Sequence, residues 1–473
     1  MTETISAFCD ATEQARMIAD REITAVALTR LTLDRIAALD PILNAFTCVL
    51  GESALNEAAA LDAEYAATGR TRGPLHGVPV AIKDDNDVAG VITTFGGSAT
   101  SKPAARDGEA VRRLRAAGAV IIGKTTLPEF GVMPFTESIA FGATRNPWDP
   151  SLSASGSSGG SAAAVASGMV AAAIGTDGGG SVRLPASYCG LVGLKPQRGR
   201  VSTAPTVDLW RMLGTIGPLT RSVRDCALLC DVIAGQSPTD KWTTPALASP
   251  LSAAIDAPFR RLRIAISERH PGRYPHADAE TLAALHATAD ALRELGHVVE
   301  PAEPRYPAFV AEFIVLMLGG VSDEATLVDH PELIEPRVRQ LLGVGKLFSG
   351  NKIGAWAERR AVAKSEQINR FFDSYDLLLT PTSPTPAVPH GGAQGNIAAV
   401  MNRGRVVSAF TAVWNIAGNP VVALPTGYSA AGLPLSAQLV GPVNGEPAII
   451  EVAAQIERAR PWSHRRPTPR VAT

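Results

Sequence analysis

Two glycine-rich turns on either side of a run of small residues constrain the fold of this chain most. The first turn is GSSGGS (156–161), and the second is GTDGGGS (175–181), which leads into the apolar segment VRLPASYCGLVGLKP. By composition alone, residues 146–161 would be a flexible linker. However, the small residues of Ala162–Ile174 predict a helix, and a compact region follows it. We therefore expect both turns to lie inside a domain rather than between domains.

Short apolar segments alternate with helical ones from Gly73 onward. GVPVAIK (77–83) and GAVIIGKT (118–125) predict buried strands, and GEAVRRLRAAG between them predicts a helix. Further strands are predicted at RLRIAI, HVVE, YDLLLT, NPVVALPTG and LPLSAQLVG, with a helix over Asp278–Leu295. This alternation indicates an α/β fold around a largely buried sheet.

The N-terminal part of the chain has a different pattern. Apolar residues recur at helical spacing over residues 10–70, so we predict an α-helical segment at about residues 1–70. No internal repeat and no break in composition divides the rest of the chain. Residues 1–473 are therefore predicted to form a single domain.

Charge and composition exclude several classes of function. The 473 residues include 44 basic and 45 acidic side chains, which argues against a nucleic-acid partner or an anionic membrane. The longest small and apolar run, Ser161–Gly175, is shorter than the roughly 18 residues of a membrane span. The N-terminus, MTETISAFCD, has no basic segment followed by an apolar one, which predicts a cytoplasmic protein. The scattered cysteines argue against a disulfide framework or a zinc site.

One motif suggests phosphate binding. GAVIIGKT (118–125) matches the phosphate-loop pattern, which requires a strand before the loop and a helix after the lysine. Here a helix precedes Gly118, β-branched residues fill the place of the loop, and Pro128 follows soon after Lys124. The segment is therefore predicted to be a core strand that ends in a turn.

A second motif suggests a nucleophile elbow. GSSGG (156–160) matches the G-x-S-x-G pattern with Ser158 at its centre. The residues before it form a polar, proline-containing loop instead of the strand that an elbow requires. Downstream histidines are available to complete a triad, so this alternative stays open.

The third set of residues combines a lysine with both turns. Lys83 follows the apolar strand VPVAI, whose side chains could desolvate its amine and keep it neutral, as a base requires. This interpretation requires the side chains of Asp84 and Asp85 to point elsewhere, and the alternative is a lysine in solvent. Ser181 follows three glycines whose amides can bind an oxyanion. The alternative for Ser181 is a glycine-rich turn with a capping serine.

The sequence resembles the amidase signature family of serine hydrolases. The resemblance rests on GSSGGSAAAVASG followed by GTDGGGSVRLPASYCGLVGLKP, and it is strongest over about residues 70–225. The spacing agrees as well, because Ser157 lies 74 residues after Lys83 and 24 residues before Ser181. Four further segments match the family in the same order: LHGVPVAIKD, GAVIIGKT, FGATRNPWD and GTIGPLTRSV. The implied fold is one α/β domain with a central mixed sheet and helices on both sides.

The resemblance implies a Ser-Ser-Lys triad that needs neither a metal nor an organic cofactor. Ser181 would be the nucleophile, Ser157 a bridging serine after a cis peptide bond, and Lys83 the base. The remaining implied residues are oxyanion donors through the backbone amides of Gly178, Gly179, Gly180 and Ser181, and supports at Ser158, Asp177 and Arg183.

Two positions depart from the family pattern. Ser155 replaces the first of two glycines before the paired serines, and Gly178 stands where the family usually has threonine or a larger residue. Neither position belongs to the triad. Gly178 is expected either to loosen the oxyanion turn or to open space beside the acyl group.

The segment FGVMPF (130–135) matches a pocket-lining segment of the family. The resemblance thus implies substrate contacts for Val132 and Met133, with Trp210 and Met212 as further contributors, and ordinary core packing is the alternative. We expect an amidase that hydrolyses small carboxylic amides to an acid and ammonia or an amine through an ester on Ser181. Two alternatives are the glutamine-hydrolysing subunit of the tRNA-dependent amidotransferase and a non-catalytic binding protein. Assembly into a homo-oligomer is left open.

Overall fold

The computed structural model describes residues 7–272, 275–349 and 352–469. The α-helices in these ranges are α1 (Ala11–Ala19), α2 (Ala25–Leu43), α3 (Gly51–Thr68), α4 (Glu109–Ala116), α5 (Gly159–Ala166), α6 (Arg183–Cys189), α7 (Val223–Ile233), α8 (Ala279–Glu294), α9 (Val310–Glu324), α10 (Pro336–Gly345), α11 (Lys352–Asn369), α12 (Ile397–Val407), α13 (Ala412–Ala417) and α14 (Glu446–Ala459). Within these ranges no helix is both long and apolar enough to cross a membrane.

The strands are β1 (Phe46–Val49), β2 (Pro79–Lys83), β3 (Val120–Thr125), β4 (Glu137–Ser138), β5 (Gly142–Ala143), β6 (Arg145–Asn146), β7 (Asp149–Ser153), β8 (Ala172–Asp177), β9 (Val192–Lys195), β10 (Thr215–Thr220), β11 (Arg263–Ile266), β12 (Val298–Pro301), β13 (Leu377–Pro381), β14 (Val421–Tyr428) and β15 (Pro434–Val440). In the described part of the chain, eleven of them form one sheet in the order β1-β3-β2-β8-β10-β9-β14-β15-β13-β11-β12. The sheet is mixed, because β2 pairs in parallel with β3 and β8 whereas β8 pairs antiparallel with β10. The predicted α/β class with a mixed central sheet is confirmed.

The predicted strands GVPVAIK and GAVIIGKT are confirmed as β2 and β3, but one predicted helix is wrong. The loop predicted before the first glycine-rich turn also contains the short strand β7, which pairs antiparallel with β6. Helix α5 ends at Ala166 instead of continuing to Ile174, and Ala172–Asp177 is the buried strand β8. Gly168 has a φ of +74°, a left-handed conformation that ends the helix. Pairing of β8 with β2 and β10 then overrides the helix propensity of its alanines.

The N-terminal segment contains the expected helices α1, α2 and α3, and also a strand that the helical pattern did not predict. This strand, Phe46–Val49, pairs antiparallel with β3 at the edge of the large sheet. The segment is thereby part of the sheet as well as of the helical layer.

A layer of helices distant in sequence covers the turn regions. Helices α9, α10 and α11 contribute buried apolar residues to the same cluster as Phe130, Met133 and Trp210. None of these three helices was predicted from the sequence. They place a thick apolar wall next to the second glycine-rich turn.

The register of the sheet brings the ends of two parallel strands together. Ile82 on β2 lies opposite Ile174 on β8, so Lys83 and Asp177 follow at the same edge of the sheet. In α/β folds, binding and catalytic sites occur at the carboxyl ends of parallel strands. We therefore expect a functional site around these two strand ends.

Candidate active site

Lys83 is the last residue of β2, and its side chain is fully buried. Its Nζ lies 2.7 Å from Oγ of Ser157, 2.5 Å from Oγ1 of Thr176 and 3.1 Å from Oδ2 of Asp85. Burial lowers the pKa of Lys83, although the charge of Asp85 opposes this effect. The amine is thus displaced towards the neutral form that a base requires.

The two carboxylates after Lys83 behave differently. Asp84 points away, as expected, and its Oδ1 lies 2.8 Å from Nζ of Lys124. The same expectation is wrong for Asp85, which contacts Lys83 directly. A fully buried amine needs polar partners, and Asp85 supplies one while it also accepts a hydrogen bond of 2.6 Å from Oγ1 of Thr176.

The ion pair of Lys124 and Asp84 argues against phosphate binding by the motif GAVIIGKT. Val120–Thr125 is the buried strand β3, and the Lys124 side chain has no exposed surface. Its charge is neutralised by Asp84 within the core. The predicted core strand is confirmed, and this lysine offers nothing to a phosphate.

Ser157 follows a cis Gly156–Ser157 peptide bond, as the family resemblance implied. The next residue, Ser158, is fully buried, and its Oγ donates to the carbonyl of Thr176 over 3.2 Å. The amide of Ser158 also donates to the carbonyl of Ser181 over 3.1 Å. Ser158 therefore joins the two glycine-rich turns, and its hydroxyl is already engaged, which argues against the nucleophile-elbow alternative.

A buried ion pair holds the second turn. Asp177 and Arg183 are both fully buried, and Nε of Arg183 lies 3.0 Å from Oδ2 of Asp177. Burial alone would raise the pKa of Asp177, but Arg183 and Nδ2 of Asn415 hold it below its usual range. The amide of Gly180 donates to Oδ1 of Asp177 over 2.7 Å. This amide is thus engaged within the turn and helps to shape it.

Ser181 stands at the end of this turn, 8% exposed, and lines an apolar cavity of about 370 Å³. The three pocket residues expected from the sequence, Val132, Met133 and Trp210, all line the same cavity. The opposite wall consists of residues that the sequence analysis did not identify, from α9 and α12 and the segments next to them: Phe309, Phe313, Met317, Met401, Asn402 and Ser408. Met212 is buried in the cluster behind the cavity.

The space expected beside Gly178 is not open. A Cβ atom at this position would lie 2.4 Å from Cε3 of Trp210, so the indole ring occupies the place of the missing side chain. The oxyanion turn is packed against an aromatic wall. Gly178 therefore permits this contact instead of enlarging the pocket.

Sequence reasoning missed Thr176, Asp85 and Asn415 as parts of the site. Thr176 precedes Asp177 in β8, and knowledge of the parallel pairing with β2 would have placed it beside Lys83. Asn415 lies far away in the sequence, and no local pattern marks it.

Comparisons with known proteins agree with this geometry. A sequence model of the family described as Amidase matches residues 27–450. This chain belongs to the amidase family. The Mycobacterium tuberculosis protein named "Putative amidase AmiB2" is 44% identical over 99% of this chain and 100% of its own length. One glutamyl-tRNA(Gln) amidotransferase component, from a Synechococcus species, is 36% identical over 92% of this chain and 94% of its own.

Solved structures of amidase-family proteins share the fold. The structure of 6-aminohexanoate cyclic dimer hydrolase complexed with substrate matches with a TM-score of 0.91 and 32% identity. The match covers 98% of this amidase and 99% of that chain. The family and the fold inferred from the glycine-rich turns are therefore confirmed.

Proposed function

We propose that this amidase hydrolyses carboxylic amides through an ester on Ser181, with Lys83 as the base and Ser157 as the bridge between them. The observation that carries the proposal is the buried amine of Lys83, 2.7 Å from Oγ of Ser157, at the edge of the sheet where the Ser181 turn also lies. A serine hydroxyl is a weak nucleophile unless a base accepts its proton. Lys83 is the base for which burial provides a lowered pKa.

In the acylation step, Oγ of Ser181 attacks the amide carbon. Its proton passes to Oγ of Ser157, and the proton of Ser157 passes to Nζ of Lys83. The oxyanion is proposed to accept hydrogen bonds from backbone amides of the turn, which are strong in a site that excludes water. Since the Gly180 amide is engaged by Asp177, we assign this role to the amides of Gly178, Gly179 and Ser181.

Collapse of the tetrahedral adduct runs the proton path in reverse. Lys83 returns a proton to Ser157, Ser157 protonates the leaving nitrogen, and the carbon–nitrogen bond breaks. Water then attacks the ester on Ser181 with the same base and releases the acid. Asp85 and Thr176 hold the lysine amine in place throughout, and Asp177 and Arg183 hold the turn.

The cavity favours an apolar acyl group. Phe309, Phe313 and Met317 face Val132 and Met133 around Ser181, which suits an aliphatic or aromatic chain and not the polar side chain of glutamine. The amidotransferase alternative is for this reason not favoured. The Synechococcus amidotransferase component is also less identical to this chain, at 36%, than the protein named "Putative amidase AmiB2", at 44%.

The proposal is tested with the purified single chain. We expect release of ammonia from hexanamide, no release by Ser181→Ala, and little release from glutamine. Equal turnover of glutamine would favour the amidotransferase alternative. If the wild-type chain binds hexanamide without cleaving it, the binding-protein alternative is favoured.

A further inference from the structure

A small gap beside Trp210 lies between two cavities. The gap has a volume of about 10 Å³ and shares Gly131 and Trp210 with the apolar cavity that contains Ser181. On its other side the gap shares Asp85 and Glu324 with a larger cavity of about 750 Å³. The active site therefore has a second side, opposite the apolar acyl pocket.

The gap begins at the triad itself. Ser157 and Thr176 line it together with Asp85, Gly178 and Glu324. Ser157 is the residue that protonates the leaving nitrogen in the proposed mechanism. The nitrogen of a tetrahedral adduct on Ser181 must approach Oγ of Ser157, so it must face this gap.

The larger cavity is acidic. Seven carboxylates and three cationic side chains line it, and each of the three cations has a partner in its wall. Lys102 lies 2.6 Å from Asp329, Arg211 lies 2.7 Å from Asp323, and Lys241 contacts both Asp208 and Glu358. Among the described residues that line it, Asp85 pairs only with Lys83 of the proposed triad, and Asp87 and Glu324 have no ion pair. Even without Glu324, the carboxylates of this wall outnumber its cations. We call this space the acidic cavity; its excess of carboxylates attracts cations.

Glu324 is an acid with one unused oxygen at the inner end of the acidic cavity. The residue is 7% exposed, and its Oε2 accepts a hydrogen bond of 3.2 Å from Nε1 of Trp210. Its Oε1 is buried and finds no hydrogen-bond partner among the described residues. A buried polar atom without a partner is costly, which points to a ligand that is absent from the structure.

Burial and the charge of Asp85 raise the pKa of Glu324 to about 8. At neutral pH the carboxyl group is then largely protonated. With Oε2 engaged by Trp210, the acid proton is available on the side of Oε1. Glu324 can therefore donate to a nitrogen lone pair in the gap and, once deprotonated, can pair with a cation.

The packed position of Trp210 determines the size of the gap. Its indole lies on Gly178, and its backbone lies against α9, where a Cβ at Gly320 would come within 2.6 Å of its Cα. Trp210, Arg211 and Met212 all have left-handed φ values, +47°, +45° and +66°, which non-glycine residues rarely adopt. Close packing on both sides holds the ring in this position, so the gap does not widen freely.

We propose that the gap is the site of the leaving nitrogen, with room for ammonia only, and that the acidic cavity takes up the ammonium. The inference rests on the proposed function and specifies its substrate class as primary amides with an apolar acyl group. A single water needs about 10–15 Å³, so a molecule the size of ammonia fits where an alkyl or aryl group does not.

Departure of the nitrogen as ammonium requires two protons. The carbon–nitrogen bond of the adduct breaks, its electron pair stays on nitrogen, and nitrogen receives one proton from Ser157 to become ammonia. Ammonia takes a second proton from the Glu324 carboxyl group and becomes ammonium beside a carboxylate. The carboxylic acid formed in deacylation releases its proton to solvent, and solvent reprotonates Glu324 after the ammonium has left through the acidic cavity.

The first test compares substrates that share one acyl group. We expect kcat/KM for hexanamide to exceed the values for N-methylhexanamide and hexananilide by about 10-fold or more, because one additional methyl group in a closed site is sufficient for such discrimination. Trp210→Leu should reduce the ratio of kcat/KM for hexanamide to kcat/KM for N-methylhexanamide towards 1. Equal kcat/KM for all three amides in the wild type would overturn the assignment.

The second test removes the acid and keeps its shape. We expect Glu324→Gln to lower the ratio of hexanamide to p-nitrophenyl hexanoate turnover by about 10-fold. The aryl ring of the ester does not fit the gap and lowers its turnover equally in both proteins, but nitrophenolate leaves without a proton from this acid. Glu294→Gln changes an exposed carboxylate on α8 and should keep the ratio. Equal losses on amide and ester in Glu324→Gln would indicate a purely structural role and overturn the assignment.

The third test concerns the acidic cavity. Ammonium chloride should inhibit hexanamide hydrolysis more strongly than tetramethylammonium chloride at the same ionic strength, and Glu324→Gln should weaken this inhibition. Identical inhibition by both cations would contradict uptake of ammonium. Hydrolysis of neither amide nor ester by the wild type would overturn the proposed function as well, whereas unselective hydrolysis would overturn only the leaving-group site.

Discussion

Oδ2 of Asp85 lies 3.1 Å from Nζ of Lys83, and the carboxylate of the preceding residue, Asp84, faces a different buried lysine, Lys124. Two adjacent carboxylates therefore form ion pairs with two different lysines. Only the first pair belongs to the proposed catalytic path, and this difference provides a controlled experiment.

Asp85→Asn should move the pH dependence of catalysis to lower pH. Lys83 acts as a base only when neutral, so kcat/KM should rise with pH through the pKa of Lys83, at a midpoint below the ordinary lysine value of about 10.4. Asp85 raises this pKa, and its removal should lower the midpoint by about one pH unit. The measurement is kcat/KM for hexanamide between about pH 5 and pH 10, a range set by these expectations.

Asp84→Asn is the matched control for this experiment. It should lower the free energy of unfolding, because it leaves the charge of Lys124 buried without its partner, and it should leave the midpoint unchanged. Equal midpoints for Asp85→Asn and the wild type would show that Lys83 does not titrate in the reaction.

Lys83→Arg should be about as inactive as Lys83→Ala. Arginine keeps its proton at every working pH and cannot act as the base, although it retains the positive charge. We expect kcat for hexanamide to fall by at least about 100-fold in both variants. Near-normal turnover by Lys83→Arg would assign the lysine a purely electrostatic role.

Ser181→Ala should abolish covalent labelling by a serine-reactive phosphonate, as measured by intact mass. Ser158→Ala removes a hydroxyl that binds the backbone of Thr176, at a cost of about 1 kcal/mol in stability, and should keep the label on Ser181. A label that disappears with Ser158 and persists without Ser181 would restore the nucleophile elbow.

Asp177→Asn should destabilise the fold and the turn together. The change leaves the charge of Arg183 buried without its carboxylate, which costs about 3–5 kcal/mol in the free energy of unfolding measured with urea. We also expect kcat for hexanamide to fall, because the amide of Gly180 loses a charged acceptor.

Glu446→Gln provides the comparison for Asp177→Asn. It breaks the buried pair of Arg200 and Glu446, which does not line the acyl pocket. The loss of stability should be similar, and kcat of the folded protein should be retained. A stable and fully active Asp177→Asn would contradict the role of the pair in holding the turn.

The core of the fold could be predicted because local pattern and tertiary environment agree there. The apolar segments before Lys83 and Lys124 are strands in the structure, and the family spacing identified a lysine and a serine that do lie together. For Ala162–Ile174 the local pattern and the tertiary environment favour different structures. Alanines favour a helix when considered alone, but those of β8 are buried between two strands, and pairing with these neighbours decides their conformation.

The rest of the site could not be predicted because it depends on distant contacts. Glu324 and Trp210 are separated by 114 positions, and neither carries a motif that indicates the other. Whether the Asp85 carboxylate raises the pKa of Lys83 also depends on where its side chain points, which a sequence does not give. Residues that act through their neighbours are visible only after the chain has folded.

The hydrogen bond from the amide of Ser158 to the carbonyl of Ser181 unites the two turns into one body. The proposed triad and the two turns that hold it thus come from residues 83–183, whereas much of the acyl pocket wall comes from residues 309–413, as does Glu324. Much of the selectivity for the acyl group is therefore encoded apart from the triad. A relative could acquire a new acyl preference by recombination within the second stretch and inherit its catalytic apparatus unchanged.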